Sequence, residues 1–270
     1  MPVCPTLPVR PRMAHGSRSP PAREAIFVST RCNKIFFVRD GFASMDVCPT
    51  LRHRRAACGC RCGTALEQVL GKIADSAFKG FDKVESANLP KDLKVIGEQA
   101  FFGCQGLVTV TLPEGFTTLK HACFKGTGIR NVSFPKSLRS IGHASFAECQ
   151  NITEIVIPEG VETLELDAFA CCHNLKSVQL PSTLRTIARG VFWDCPSIEE
   201  ISIPAGVTTI GEYAFFYCTA LKHVYNHAPE PQPVSVIFKR PDITVHVPAA
   251  SAERYRRANH WKEMNIVGDL

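Results

Sequence analysis

Nowhere in its 270 residues does the chain hold 18 consecutive apolar residues, so no segment reads as a membrane-spanning helix. Before residue 65 there is also no apolar run of the roughly 7–15 residues that a secretory signal needs behind a basic start. Ala56-Ala57-Cys58 has the look of a lipoprotein cleavage box, but the apolar run before it is missing. Acids are scarce at the amino-terminal end, where residues 1–65 carry three against eleven Lys or Arg, whereas the remainder carries twenty-two against twenty. The overall charge of +6 therefore belongs to a basic arm. The rest is close to neutral and lacks the basic stripe of a nucleic-acid surface. Thirteen cysteines are an odd number, which argues against a complete disulfide framework.

What the chain does have is one phrase repeated. Phenylalanines stand at Phe78, Phe101, Phe124, Phe146, Phe169, Phe192 and Phe215, separated by 23, 23, 22, 23, 23 and 23 residues. Five residues before each comes an aliphatic: Ile73, Ile96, Leu119, Ile141, Leu164, Ile187 and Ile210. Twelve after most comes a proline: Pro90, Pro113, Pro158, Pro181 and Pro204, with Pro135 one place early because its unit is one residue short. A fixed period in the twenties means a solenoid, whose units bury their apolar faces only against their neighbours.

From Phe146 the inward set runs Cys149, Ile152, Ile155, Ile157, then Pro158, Val161 and Leu164, and the other units follow it. Its centre is L-x-x-V-x-L, whose last apolar pair alternates as a strand does, and the proline cannot donate to a ladder, so the strand stops there. The predicted strands are about three to five residues long and stack in parallel. Cys104, Cys149, Cys172, Cys195 and Cys218 share one repeat position. Ladder neighbours about 5 Å apart suit no disulfide, so these read as buried, reduced, small hydrophobes with a weak S–H donor.

The phrase I-G-x-x-A-F-x-x-C-x-x-L-x-x-V-x-L-P, seen from Ile96-Gly97 to Pro113 and from Ile210-Gly211 to Cys218, resembles the BspA-like, or Treponema-type, leucine-rich repeat. The resemblance spans about residues 66–270. Thr127 in place of Cys, and His227 in place of Pro, are its local departures. It implies a right-handed leucine-rich repeat solenoid with a short-stranded parallel sheet on the concave face, irregular or 3-10 turns opposite, and a carboxy-terminal capping helix. It also implies a surface or secreted protein that adheres to host matrix proteins or other cells. If that location holds, the export signal is missing from this version of the sequence.

Three regions are expected. Residues 1–65 read as a disordered basic arm or a misassigned start, dispensable for folding, with a transit peptide as another reading of its Arg content. Residues 66–248 form the repeat domain, opened by a helix-like cap over 64–72 and closed by a degenerate eighth strand at Ile243, Val245 and Val247. Residues 249–270 form the carboxy-terminal cap, with 249–264 read as a helix and Tyr255, Trp261 and Ile266 matching the family's usual ending. Within the arm, Cys58, Cys60 and Cys62 with His53 lack the second ligand pair of a zinc site. Arg52, Arg54, Arg55 and Arg61 could meet phosphates, but no aromatics interleave them.

The candidate ligand face is the set of residues flanking the inward strand positions. Ser86 and Asn88 begin it, followed by Thr109 and Thr111; Asn131 and Ser133; Glu154 and Val156; Ser177 and Gln179; Glu200 and Ser202; His223 and Tyr225. This strip of small hydrogen-bonding side chains suits a protein ligand. Lys176, Glu199 and Lys222 alternate in sign on adjacent strands and are expected to form a row of weak ion pairs. Glu154 and Glu200 lie two strands apart, roughly 10 Å, near the outer limit for an inverting carboxylate pair. His121 and His143 are expected to be neighbours on successive coils, with Glu98 one coil earlier. Neither set reads as catalytic or metal-binding. The expectation is a non-enzymatic binding or adhesion module without cofactor or metal, whose repeat domain binds protein and not nucleic acid. The alternatives are an interaction protein that works through its basic arm on nucleic acid or anionic surfaces, and a fragment of a larger adhesin.

Overall fold

The apolar alternation of the phrase demands extended chain just before each proline, and the strands are there. The computed structural model describes residues 25–29, 34–38, 72–73, 75–81, 86–87, 89, 91 and 93–270. Strands occupy Ser86–Ala87, Thr109–Thr111, Asn131–Ser133, Glu154–Val156, Ser177–Gln179, Glu200–Ile203 and His223–Asn226. They run parallel and pair one coil on, Thr109 opposite Asn131, Glu154 opposite Ser177 and Glu200 opposite His223. Thr244–Val247 and Asn265–Gly268 continue the wall.

A second parallel wall, which the periodicity did not reveal, is built from two-residue strands that end on the aliphatic column. Val95–Ile96, Ser140–Ile141, Thr163–Leu164, Thr186–Ile187 and Thr209–Ile210 belong to it. A single bridge from Thr118 to Ser140 stands in for a strand in the short third unit. The turn around each phenylalanine supplies a third set of inter-coil bonds. Ala144, Phe146 and Glu148 donate their N–H groups to the carbonyls of Leu166, Ala168 and Ala170, at 2.8, 2.9 and 2.8 Å, and other units repeat this. To aim three alternate N–H groups at the next coil, the residues two before and two after the phenylalanine adopt left-handed backbone, as at Asp167 (φ 53) and Cys171 (φ 57). Such a conformation costs about 1–2 kcal/mol for a residue with a side chain, and the inter-coil hydrogen bonds offset it.

The interior follows from the stacking. Neighbouring rings in the phenylalanine column lie nearly parallel with centroids 4.8 to 5.9 Å apart, and Phe238 continues the column past Phe215. The missing residue of the third unit is absorbed at Gly128, where a Cβ would sit 1.9 Å from the Gln105 carbonyl oxygen. In the seventh unit His227 replaces the strand-ending proline, and the strand still ends at Asn226, opposite Ile203. The buried Asn226 amide is held by Gln232, 2.9 Å away, and its oxygen accepts from the Ala228 N–H.

The cysteine column is buried, as expected, and its thiols do more than fill space. Cys149 donates to the carbonyl of Phe124, Cys172 to Phe146, Cys195 to Phe169 and Cys218 to Phe192, each at 3.2 Å, so the thiols stitch each coil to the one before. Thr127 takes the cysteine's place in the third unit and turns its hydroxyl back to its own Phe124 carbonyl at 2.9 Å. Burial pushes the Cys149 thiol up to about 11 and Cys218 up to about 12, while Cys172 and Cys195 are also raised well above the usual range. Cys171, half-buried on the turn face, is the accessible thiol of the repeats. Site-resolved alkylation of the native protein is expected to modify Cys171 well before Cys149, Cys172, Cys195 or Cys218, because reactivity follows the exposed thiolate. Equal native labelling of all five would refute this packing.

The tail departs from the single helix expected over 249–264. The α-helix is confined to Ala252–Arg257, between 3-10 turns at Ala249–Ser251 and Trp261–Glu263. Ala258 is extended (φ −76, ψ 141) and His260 is left-handed (φ 64), so the three-residue spacing of Ala252, Tyr255, Ala258 and Trp261 belongs to a folded-back cap and not to one long helix. Ile266 then lies in a last parallel strand. The buried Tyr255 hydroxyl donates to the Ala228 carbonyl and the Trp261 indole N–H to that of Gln232, at 3.0 and 2.9 Å. Most of the basic arm and all but the last residue of the cap expected over 64–72 lie outside the described residues, including the cysteine trio, His53 and the arginine cluster. Within the arm the described backbone is one antiparallel hairpin, Ala25–Ser29 against Lys34–Val38.

Candidate functional site

The three-residue strands turn their central residue inward, only half-buried at Val132, and present the two beside it, while Glu200–Ile203 and His223–Asn226 also bury their last residue. Val110, Ile155, Val178, Ile201 and Val224 point inward. Their neighbours Thr109, Thr111, Asn131, Ser133, Glu154, Val156, Ser177, Gln179, Glu200 and Ser202 are exposed, and His223 and Tyr225 are half-buried. Parallel register brings like positions side by side: Thr111 opposite Ser133, Val156 opposite Gln179, Ser202 opposite Tyr225. Asn131–Ser133 packs beside Glu154–Val156, and Ser177–Gln179 beside Glu200–Ile203, so the strip is continuous. Ser86 opens it opposite Thr109, and Asn88 lies outside the described residues.

At the carboxy-terminal end the strip changes character. His223 Nδ1 lies 3.1 Å from His246 Nε2, and His246 Nδ1 lies 2.9 Å from Asp269 Oδ2. The Tyr225 ring stacks on His246 with centroids 4.6 Å apart. Ser202 Oγ meets His227 Nε2 at 3.1 Å. Sequence reasoning found His223 and Tyr225 but missed His246 and Asp269. The eighth strand was legible, and carrying the flanking rule onto Thr244-Val245-His246-Val247 would have added His246 to the strip. The last strand and Asp269 beyond it follow the expected helix, in the remainder of the carboxy-terminal cap, where no strand was expected.

Ser202 meets His227, but among the described residues no carboxylate is hydrogen-bonded to that imidazole. Glu154 and Glu200 stand exposed on the open strip with the Ser177 strand between them. The expected ion-pair row does not form: no salt bridge joins Lys176, Glu199 and Lys222, whose side chains are exposed to water. On the turn face Lys125 pairs with Glu148 at 3.1 Å, and His173 Nε2 lies 3.0 Å from Asp194 Oδ2. His121 and His143 are indeed neighbours, with ring centroids 4.6 Å apart, but on that turn face. Among the described residues no group of three His, Cys, Asp or Glu is gathered as a metal site would require. No helix among them is long and apolar enough to cross a membrane.

With this geometry in hand, the comparisons with known proteins are direct. The BspA type leucine rich repeat region, in six copies, matches residues 71–198 and 140–230. Among curated proteins no sequence matches. A leucine-rich repeat protein from Bacteroides ovatus is 23% identical with a TM-score of 0.51, over 65% of this chain and 58% of its own. The chain thus spans little more than half the length of that relative. The T. pallidum leucine rich repeat protein is 29% identical with a TM-score of 0.50, over 56% of this chain and 71% of its own. A leucine rich cell surface protein from Faecalibacterium prausnitzii is 19% identical with a TM-score of 0.55, over 88% of this chain and 73% of its own.

Proposed function

We propose that this chain, which belongs to the BspA-type leucine-rich repeat family, is a non-catalytic protein-binding and adhesion module of a bacterial surface or secreted protein, with its ligand on the strand face. Repeat domains of this kind are generally protein-interaction modules. One similar structure carries the description of a leucine rich cell surface protein. The observation that carries the reading is the continuous strip of exposed, short, hydrogen-bonding side chains held in register by a rigid sheet. Short side chains lose little rotamer freedom on contact, and a pre-formed surface loses less still, so each new hydrogen bond counts more fully toward affinity. The His223, Tyr225 and His246 cluster adds the aromatic, half-desolvated patch from which interface hot spots are commonly built. The ligand class proposed is a host matrix or cell-surface protein.

The test is binding of the full chain to immobilised matrix proteins and to host cells. Ser177→Arg with Gln179→Arg places two long cations in mid-strip and is expected to weaken binding at least about tenfold, or 1.4 kcal/mol, with an unchanged melting temperature. Binding that survives this change, but is lost when Arg52, Arg54, Arg55 and Arg61 become serine, would move the activity to the basic arm. It should then fall steeply with added salt.

A further inference from the structure

We infer that the turn face carries a second binding site, a groove that takes a neutral oligosaccharide. The groove, about 400 Å³, crosses the turns of successive coils and shares no residue with the strand-face strip. Its shape comes from substitutions at the outward turn positions. In the middle units these are Ala144, Ala147 and Ala170, which pack together with Ala122 as a low floor. His121 and His143 line it on the earlier coils, and Trp193 and Tyr213 on the later ones. Gly190 keeps the far bank open: a Cβ there would meet Asp167 Oδ1 at 2.1 Å.

The chemistry of the lining selects the ligand. The floor's backbone is spent on the solenoid, with Ala122, Ala144 and Glu148 each donating to the next coil at 2.8 Å, so an extended peptide finds no main chain to pair with. Lys125 and Glu148 are occupied with each other. That leaves His121, His143, Asp167 and Arg189, whose side chains make no hydrogen bond or ion pair among the described residues. One carboxylate and one guanidinium cancel, so the groove suits neither an anion nor a cation. It offers acceptors and donors in close alternation, which a hydroxyl satisfies because it both donates and accepts. Arg189 lies over the Tyr213 ring at 5.4 Å, and Trp193 is 36% exposed, so the bank presents amphipathic aromatic surface to an apolar ring face. Dense hydroxyls on a neutral scaffold with apolar C–H faces describe a sugar chain. The volume falls within the usual range for ligand pockets, about 300–1,000 Å³.

The protein contains its own reporter. Of its two tryptophans, Trp193 stands in the groove and Trp261 is fully buried in the cap. The full chain is titrated with neutral trisaccharides built on glucose, mannose, galactose and N-acetylglucosamine, with a heparin-derived trisaccharide and a zwitterionic tripeptide as comparisons. Tryptophan emission and calorimetry are both read. At least one neutral trisaccharide is expected to bind saturably, with Kd about millimolar or tighter. Asp167→Gly, which keeps the left-handed backbone without strain, and Trp193→Ala should each weaken that binding at least about fivefold while the variant stays folded by circular dichroism at the assay temperature. Ser177→Arg with Gln179→Arg should leave it as it was. The proposal is overturned if no neutral saccharide binds, if the anion or the tripeptide binds better, or if the groove variants bind like the parent.

Discussion

Replacing Phe169 with alanine is expected to destabilise the repeat domain by about 3–5 kcal/mol, the usual cost of emptying a buried aromatic site. The ring is fully buried and stacked between Phe146 and Phe192, with centroids 5.5 and 5.8 Å away and planes within 6° and 8°. Its loss also removes two stacking contacts from a structure in which each coil touches only its neighbours, so the units on either side are partly uncoupled. Denaturation of the variant should therefore be broader as well as earlier. Hydrogen exchange should rise first in the coils around residue 169. Ser177→Ala, on the exposed strip, is the comparison and should change stability by less than about 0.5 kcal/mol. Equal losses from the two substitutions would mean that inside and outside have been assigned wrongly.

Raising the pH past about 8.5 is expected to destabilise the domain steeply, because that is where thiols ionise in the unfolded chain. In the folded chain, burial holds the Cys123, Cys149 and Cys218 thiols up at about 12, 11 and 12, and raises Cys172 and Cys195 well above their usual range. The folded-state values are thus above the unfolded ones, and the sign follows. Below pH 8.5 or so all five thiols are protonated in both states and their contribution is intact. Above it the unfolded chain releases protons that the folded chain keeps, so stability falls by up to about 1.4 kcal/mol per pH unit for each thiol until the folded value is reached. The shift has the same direction for all five thiols, so their effects on stability act together. Denaturant titrations on either side of that pH measure it. Cys172→Ala should flatten the dependence by one thiol's share, and a pH-independent stability through this window would contradict the buried column.

The candidate site was legible only where position in the repeat decides exposure. The flanking rule placed Glu154, Ser177, Gln179 and Glu200 on the open strip because alternation along a strand is a local property. It did not bring His223, His246 and Asp269 together, since each lies on a different coil and their meeting depends on the last two coils being strands. The lateral charge row failed for a related reason. Sequence gives the order of signs along the sheet, whereas an ion pair needs long side chains to give up their freedom, and here hydration prevails.

Period, inward columns and the stopping points of the long strands were all determined by the sequence, because a side chain that recurs every 23 residues in a coil must meet its own equivalent. Tertiary structure decided the rest. Glycines two after Phe78, Phe101 and Phe124 and two before Phe192 mark some of the left-handed positions, but at Ala144, Tyr213 and Tyr217 nothing in the residue announces such a backbone. They adopt it because three N–H groups of the turn must point at the next coil. The same holds for the thiols, whose acceptor is a carbonyl 25 or 26 residues away, and for the groove, whose alanine floor and aromatic bank come from different units. In a solenoid the neighbour that matters is a full turn distant along the chain, and only the closed coil brings it within reach of a hydrogen bond.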